Sequence, residues 1–356
     1  MTHSKNNAIQ GLRFWAITLI IASHCGFLAQ GGLGNNIFFA MSGFFVCQPF
    51  SMDDYEYSYF GVKGFLRYYV KRIVRIIPAC WLCMFFATWG LAFFDFRDFQ
   101  TDNSLLLNMF FIKSKNHLWF LQQEVVFYVV APFLILLVGL FKKLACKITK
   151  NAIAVNTAVF IFLNLLALVA YKLLLNSSFT LYGNGNSIPF RLWLFIIGMS
   201  FAYMLRVFKE FAYQLSTGTA KTLSLLGSVY VIVCLALSIF SSEQIISRMN
   251  PELSGYFIGW EQPVLITYLS AIAIMVLCLL PQENIICRFL GNSIFTVIGN
   301  VSFSMYLLHF VLLQYFAELS TYRKFIVIYL LSLALSILIY NHVEQPLINK
   351  TKEYLK

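Results

Sequence analysis

The sequence predicts an all-α, polytopic membrane protein of about ten transmembrane helices with both termini cytoplasmic. Three observations carry that expectation. Of 356 residues, 60% are hydrophobic and 12% are charged, where soluble domains carry roughly 25% charged residues. Apolar stretches close to the length of a bilayer span recur along the whole chain. The basic residues outnumber the acidic ones by 26 to 15, a net charge of +11, and they gather in alternate connecting segments, as the positive-inside rule requires. A water-soluble fold is excluded. The positive charge reads as a topology signal, with the lipid bilayer and not nucleic acid as the partner.

The candidate spans lie near 14–30, 35–50, 76–94, 118–141, 152–175, 190–208, 222–240, 262–281, 294–317 and 325–341. With the N-terminus inside, the cytoplasmic segments hold Lys63, Arg67, Lys71, Arg72 and Arg75, then Lys142, Lys143, Lys147 and Lys150, and finally Lys350, Lys352 and Lys356. The longest outer loops are 96–117, 176–189 and 241–261. Residues 1–356 read as one transmembrane domain. Cys80 and Cys83 form a CxxC inside an apolar run with no second pair, so they read as packing residues, and no disulfide framework or metal site is suggested.

Ionisable groups inside a bilayer are costly, so those that persist are functional candidates. Arg13 and His24 are eleven residues apart on the first helix, which places them within roughly 20° of one face and about 16 Å apart along it. Imidazole is suited to taking a proton from a hydroxyl near neutral pH; a histidine hydrogen-bonded between helices explains the same residue. Arg72 and Arg75, at i and i+3, share a helix face suited to phosphate oxygens, and membrane anchoring is the competing explanation. Glu124, which follows His117 and Trp119, enters the membrane from the outer side and needs a partner there. His24 is the candidate, as a base oriented by a carboxylate. Tyr306 and His309 are again three apart, and with Ser42 and Glu344 they are polar positions that either touch substrate or join helices.

These elements occur in the order seen in the acyltransferase 3 family, bacterial membrane O-acyltransferases of surface polysaccharides. Arg13 and His24 resemble its Arg-x10-His signature. Gly34-Asn35-Asn36-Ile37-Phe38-Phe39-Ala40-Met41-Ser42-Gly43-Phe44 resembles its Gly-Val-Asp-x-Phe-Phe-x-x-Ser-Gly-Phe segment. The Arg72-x-x-Arg75-x-x-Pro78 stretch, the His117-x-Trp119 segment with Glu124 and Tyr128, the Ser302-to-His309 segment and Glu344-Gln345-Pro346 are similar to its remaining motifs. Asn36, Phe120 and Val125 depart from the pattern, replacing an acidic residue, a serine and a second glutamate, and no proline follows His309.

The resemblance implies transfer of an acetyl or other short acyl group from a cytoplasmic acyl-coenzyme A to a sugar hydroxyl of a cell-surface or exported polysaccharide, in the bacterial inner membrane. It implies His24 and Glu124 as catalytic residues, and Arg13, Arg72 and Arg75 as the donor site. It implies no metal. The esterase-like extracellular domain that many members carry is not expected here. The competing reading is a polytopic transporter or flippase of a glycan or lipid-linked intermediate, in which Arg13, His24 and Glu124 form a proton or substrate path.

Overall fold

Three long helices, His3–His24, Gly31–Ser51 and Ser293–Tyr315, supply much of the buried core. The structure, a computed structural model, describes residues 3–27, 31–51, 61–96, 98–101, 103–175, 190–214 and 285–355, with positions 222, 225, 226 and 229. Among them all regular structure is helical apart from one bridge between Asp95 and Ser104. The order is α1 (His3–His24), α2 (Gly31–Ser51), α3 (Val62–Phe85) with a π turn (Phe86–Gly90), α4 (Leu105–Met109), a 3-10 turn (Asn116–Leu118), α5 (Trp119–Ile148), α6 (Ala152–Leu175), α7 (Leu192–Gln214), α8 (Ile285–Leu290), α9 (Ser293–Tyr315), α10 (Thr321–Ile339), a π turn (Tyr340–Glu344) and α11 (Gln345–Tyr354).

α1 packs on α2, α8, α9 and α10, and α2 packs in turn on α7 and α5. Leu12, Ile17, Ile20, Phe39 and Phe44 are buried in that core. Several crossings are close enough that a side chain would not fit. A Cβ at Gly43 of α2 would stand 1.9 Å from the Phe195 carbonyl oxygen of α7, and one at Gly198 would stand 1.9 Å from that of Ala40. Gly299 of α9 meets the Gln10 carbonyl of α1 in the same way, at 1.9 Å. Small residues let backbones approach where apolar burial alone cannot drive helices together in lipid.

Among the described residues, five helical segments are long and apolar enough to cross a membrane: Val62–Gly90, Asn116–Ile148, Ala152–Leu174, Ser293–Tyr315 and Thr321–Tyr354. The apolar part of α7, Leu192–Leu205, is shorter. This is fewer than the ten spans expected, for two reasons. α1 and α2 have sufficient length but carry Gln10, Arg13, Asn35, Asn36 and Gln48, which they can do because they face protein. The expected span near 262–281, and nearly all of that near 222–240, lie outside the described residues, as do the outer loops 176–189 and 241–261. α3 also begins well before the expected 76–94, so Arg72 and Arg75 lie within a helix and not in a linker before one.

The segment between α3 and α5 brings His117 to its place. Phe111 (φ 55°) and Asn116 (φ 46°) adopt left-handed conformations, which for a bulky residue such as Phe111 are unfavourable unless held. Gln122 holds the first by donating to the Phe111 and Ile112 carbonyls at 3.0 and 3.1 Å, and Asn108 fixes the second by accepting from the Lys115 N–H at 2.6 Å. The Lys115 ammonium lies 4.1 Å from the Phe93 ring centroid, and desolvation lowers its pKa below the usual lysine value.

Candidate active site

α1 carries both halves of the site, with Arg13 in its middle and His24 as its last residue. Around Arg13 the helices leave a cavity of about 600 Å³, counting its mouth, whose polar lining is Arg13, Ser42, Arg72, Arg75, Glu124, Tyr128, Ser302 and Tyr306. Phe38, Phe45, Phe120 and Phe303 supply most of the apolar wall. The cavity therefore gathers the three arginines singled out in the sequence from two helices, α1 and α3.

The cations there are held by rings more than by acids. The Arg72 guanidinium carbon lies 5.5 Å from the Tyr68 ring centroid and 5.0 Å from that of Tyr128, and the Arg13 carbon lies 5.3 Å from that of Phe45. Such contacts are worth about 0.5–2 kcal/mol, yet they do not satisfy every N–H donor. The Nε atoms of Arg13 and Arg72 are buried with no hydrogen-bond partner. A buried donor without a partner costs about 1–3 kcal/mol, a cost that an anion in the cavity would remove. Glu344, on the π turn, accepts from Ser304 and lies within electrostatic reach of Arg75 and Arg13.

Glu124 belongs to this cavity and not to His24. Its Oε1 accepts from Ser42 at 2.7 Å and from Tyr128 at 2.6 Å, and it acts on Arg13 through space. The contact expected between Glu124 and His24 is replaced by these bonds. The physical reason is depth: Glu124 stands seven residues along the chain from His117, roughly 10 Å towards the arginine end, whereas His24 lies beside His117 at the other end.

At that other end three imidazoles meet. His24 Nδ1 lies 2.9 Å from His309 Nε2. His309 Nδ1 faces the Tyr306 and Met305 carbonyl oxygens at 2.7 and 3.3 Å. His117 Nε2 lies 3.2 Å from the Leu307 carbonyl oxygen, and the Tyr306 hydroxyl donates to the His117 carbonyl. His117 and His309 are buried, whereas His24 is exposed. Among the described residues no three histidine, cysteine or carboxylate side chains are arranged to hold a metal ion. Tyr306 links the two ends. Its ring lines the cavity, packs 5.0 Å from Phe120 and lies 5.5 Å from both His117 and His309.

A family described as an acyltransferase domain matches residues 6–341, nearly the whole chain. The chain belongs to the acyltransferase 3 family. No curated protein and no solved structure matches it.

For this acyltransferase family member, the structure brings Arg13, Arg72, Arg75, Ser42 and Glu124 together, and separately His24, His117, Tyr306 and His309. Trp119 stands apart from both groups, under the Arg191 guanidinium at 5.3 Å. Arg191 also donates to the Asn36 side-chain oxygen at 3.0 Å and, through its backbone N–H, to that of Gln123 at 3.1 Å. Sequence reasoning missed that Arg191–Asn36 pairing across 155 positions, which no local pattern announces. It also gave Tyr128 no role, although Glu124 and Tyr128 at i and i+4 necessarily share a face.

Proposed function

We propose that this protein is a membrane O-acyltransferase that moves an acetyl or other short acyl group from cytoplasmic acyl-coenzyme A to a sugar hydroxyl of an exported polysaccharide. The observation that carries the reading is the cavity of three arginines in which two buried Nε donors lack partners, set about 16 Å along one helix face from an imidazole. Family membership supports acyl transfer and leaves the transport reading without an observation of its own. Phosphates are the anions that guanidinium pairs suit best, and the phosphates of the donor would lie against Arg13, Arg72 and Arg75.

The orientation that goes with this has the arginine end towards the cytoplasm and the histidine end outward. A pantetheine arm running from the arginines past Phe120 and Tyr306 would present the thioester near His24. His24 takes the proton from the sugar hydroxyl, the oxygen forms its bond to the thioester carbonyl carbon, the carbon–sulfur bond breaks, and the sulfur leaves with a proton returned by the imidazolium. Glu124 contributes at the donor end, as a counter-charge among the arginines held by Ser42 and Tyr128.

The test is to incubate purified protein with acetyl-coenzyme A and candidate glycans and follow free thiol together with glycan acylation. Transfer by the wild type is expected, with a loss of about 10²- to 10⁴-fold in His24→Ala. Undiminished transfer by His24→Ala would remove the histidine from the chemistry.

A further inference from the structure

We infer that His309 is a positioning residue that fixes His24 in its Nδ1–H tautomer and so leaves the His24 Nε2 lone pair open to act as the base. The inference rests on the reading of His24 as the base. It adds the group that orients it, a role expected of Glu124 from the sequence.

The argument starts from the carbonyl oxygens, which only accept. His309 Nδ1 faces two of them, on Tyr306 at 2.7 Å and on Met305 at 3.3 Å, so the proton of a neutral His309 is on Nδ1. Its Nε2 then carries a lone pair. Because His309 is buried against His117, Tyr306 and Phe310, with no carboxylate hydrogen-bonded to it among the described residues, a charge on it would be poorly compensated, and the neutral form is the one the site accommodates. His24 Nδ1, 2.9 Å from that lone pair, must therefore be the donor. A neutral His24 that donates from Nδ1 has its own lone pair on Nε2.

The ring geometry agrees. The two imidazole planes are 11° apart with centroids 5.1 Å apart, so the short nitrogen–nitrogen contact runs edge to edge, in the direction of an in-plane N–H and lone pair. His24 is exposed, and among the described residues its ring has no hydrogen-bond partner beyond the Nδ1 contact to His309, so an acceptor hydroxyl can reach the remaining nitrogen. When Nε2 takes the hydroxyl proton, the imidazolium keeps its Nδ1–H bond to His309, which becomes charge-assisted and stronger. His309 thus sets the tautomer beforehand and steadies the charge afterwards, without itself changing protonation state.

The experiment is nitrogen-15 spectroscopy of ring-labelled histidine in the full chain reconstituted in lipid, paired with kinetics. The chain has five histidines, few enough for a His24→Ala difference spectrum to assign the signal. The Nδ1–H form of His24 is expected in the wild type, which needs no variant. A mixture with the Nε2–H form is expected in His309→Phe, whose kcat should fall about tenfold to a hundredfold, less than when a charged orienting group is lost, while KM for acyl-coenzyme A stays within about twofold. His309→Gln, whose side-chain oxygen can accept near the Nε2 position, should recover most of that loss. An Nε2–H His24 in the wild type, an unchanged kcat in His309→Phe, or a glutamine variant no better than the phenylalanine one would overturn the inference. Full activity of His24→Ala would instead overturn the base assignment, and the wild-type tautomer would still be readable on its own.

Discussion

The two ends of α1 solve opposite problems. Around Arg13 there are three cations and buried donors left without partners, an arrangement that is unfavourable until an anion arrives. Around His24 three imidazoles are tied to one another and to backbone carbonyls, and among the described residues His24 Nε2 and the buried His117 Nδ1 are left without a partner. On the proposed reading, one end binds the donor and the other holds a base in a fixed state. The contrast, on that reading, teaches that charge alone need not mark catalytic chemistry: the arginine cavity would serve recognition, and the proton transfer would fall to a cluster of imidazoles.

Removing a cation is the strongest way to break this comparison from the arginine side. Charge-assisted hydrogen bonds contribute roughly 1.5–3 kcal/mol each, so Arg72→Ala or Arg75→Ala is expected to weaken coenzyme A binding by about ten- to a hundredfold, read by direct titration. Unchanged affinity in both variants would reduce these residues to membrane anchors. A smaller effect of opposite sign is expected from Glu124→Gln. The amide oxygen still accepts from Ser42 and Tyr128, but the negative charge beside the arginines is gone, and coenzyme A should bind about two- to fivefold more tightly, a change of up to about 1 kcal/mol. Weaker binding in that variant would show that Glu124 shapes the cavity and does not act as a counter-charge.

How far the sequence reached follows from which signals are local. The Arg13 and His24 alignment is a property of one helix, and the helix forms as the spacing predicts. Arg72 and Arg75 likewise share a face because i and i+3 must. What stayed hidden was pairing between distant segments. His24 and His309 are 285 positions apart, and the sequence offered Glu124 as a partner on grounds of charge, since a carboxylate in a membrane needs one. Two neutral hydroxyls, of Ser42 and Tyr128, satisfy it instead. Hydropathy is blind to context in the same way. α1 and α2 can be polar because their neighbours are protein, and a hydropathy pattern cannot distinguish a helix facing lipid from one enclosed by other helices.

The division between the two ends is tested most directly by titrating coenzyme A into His24→Ala while measuring acyl transfer by the same preparation. Affinity within about twofold of the wild type is expected, together with the loss of transfer. Affinity that falls in step with activity would mean that His24 helps to bind the donor, and that binding and proton transfer are not separated along α1.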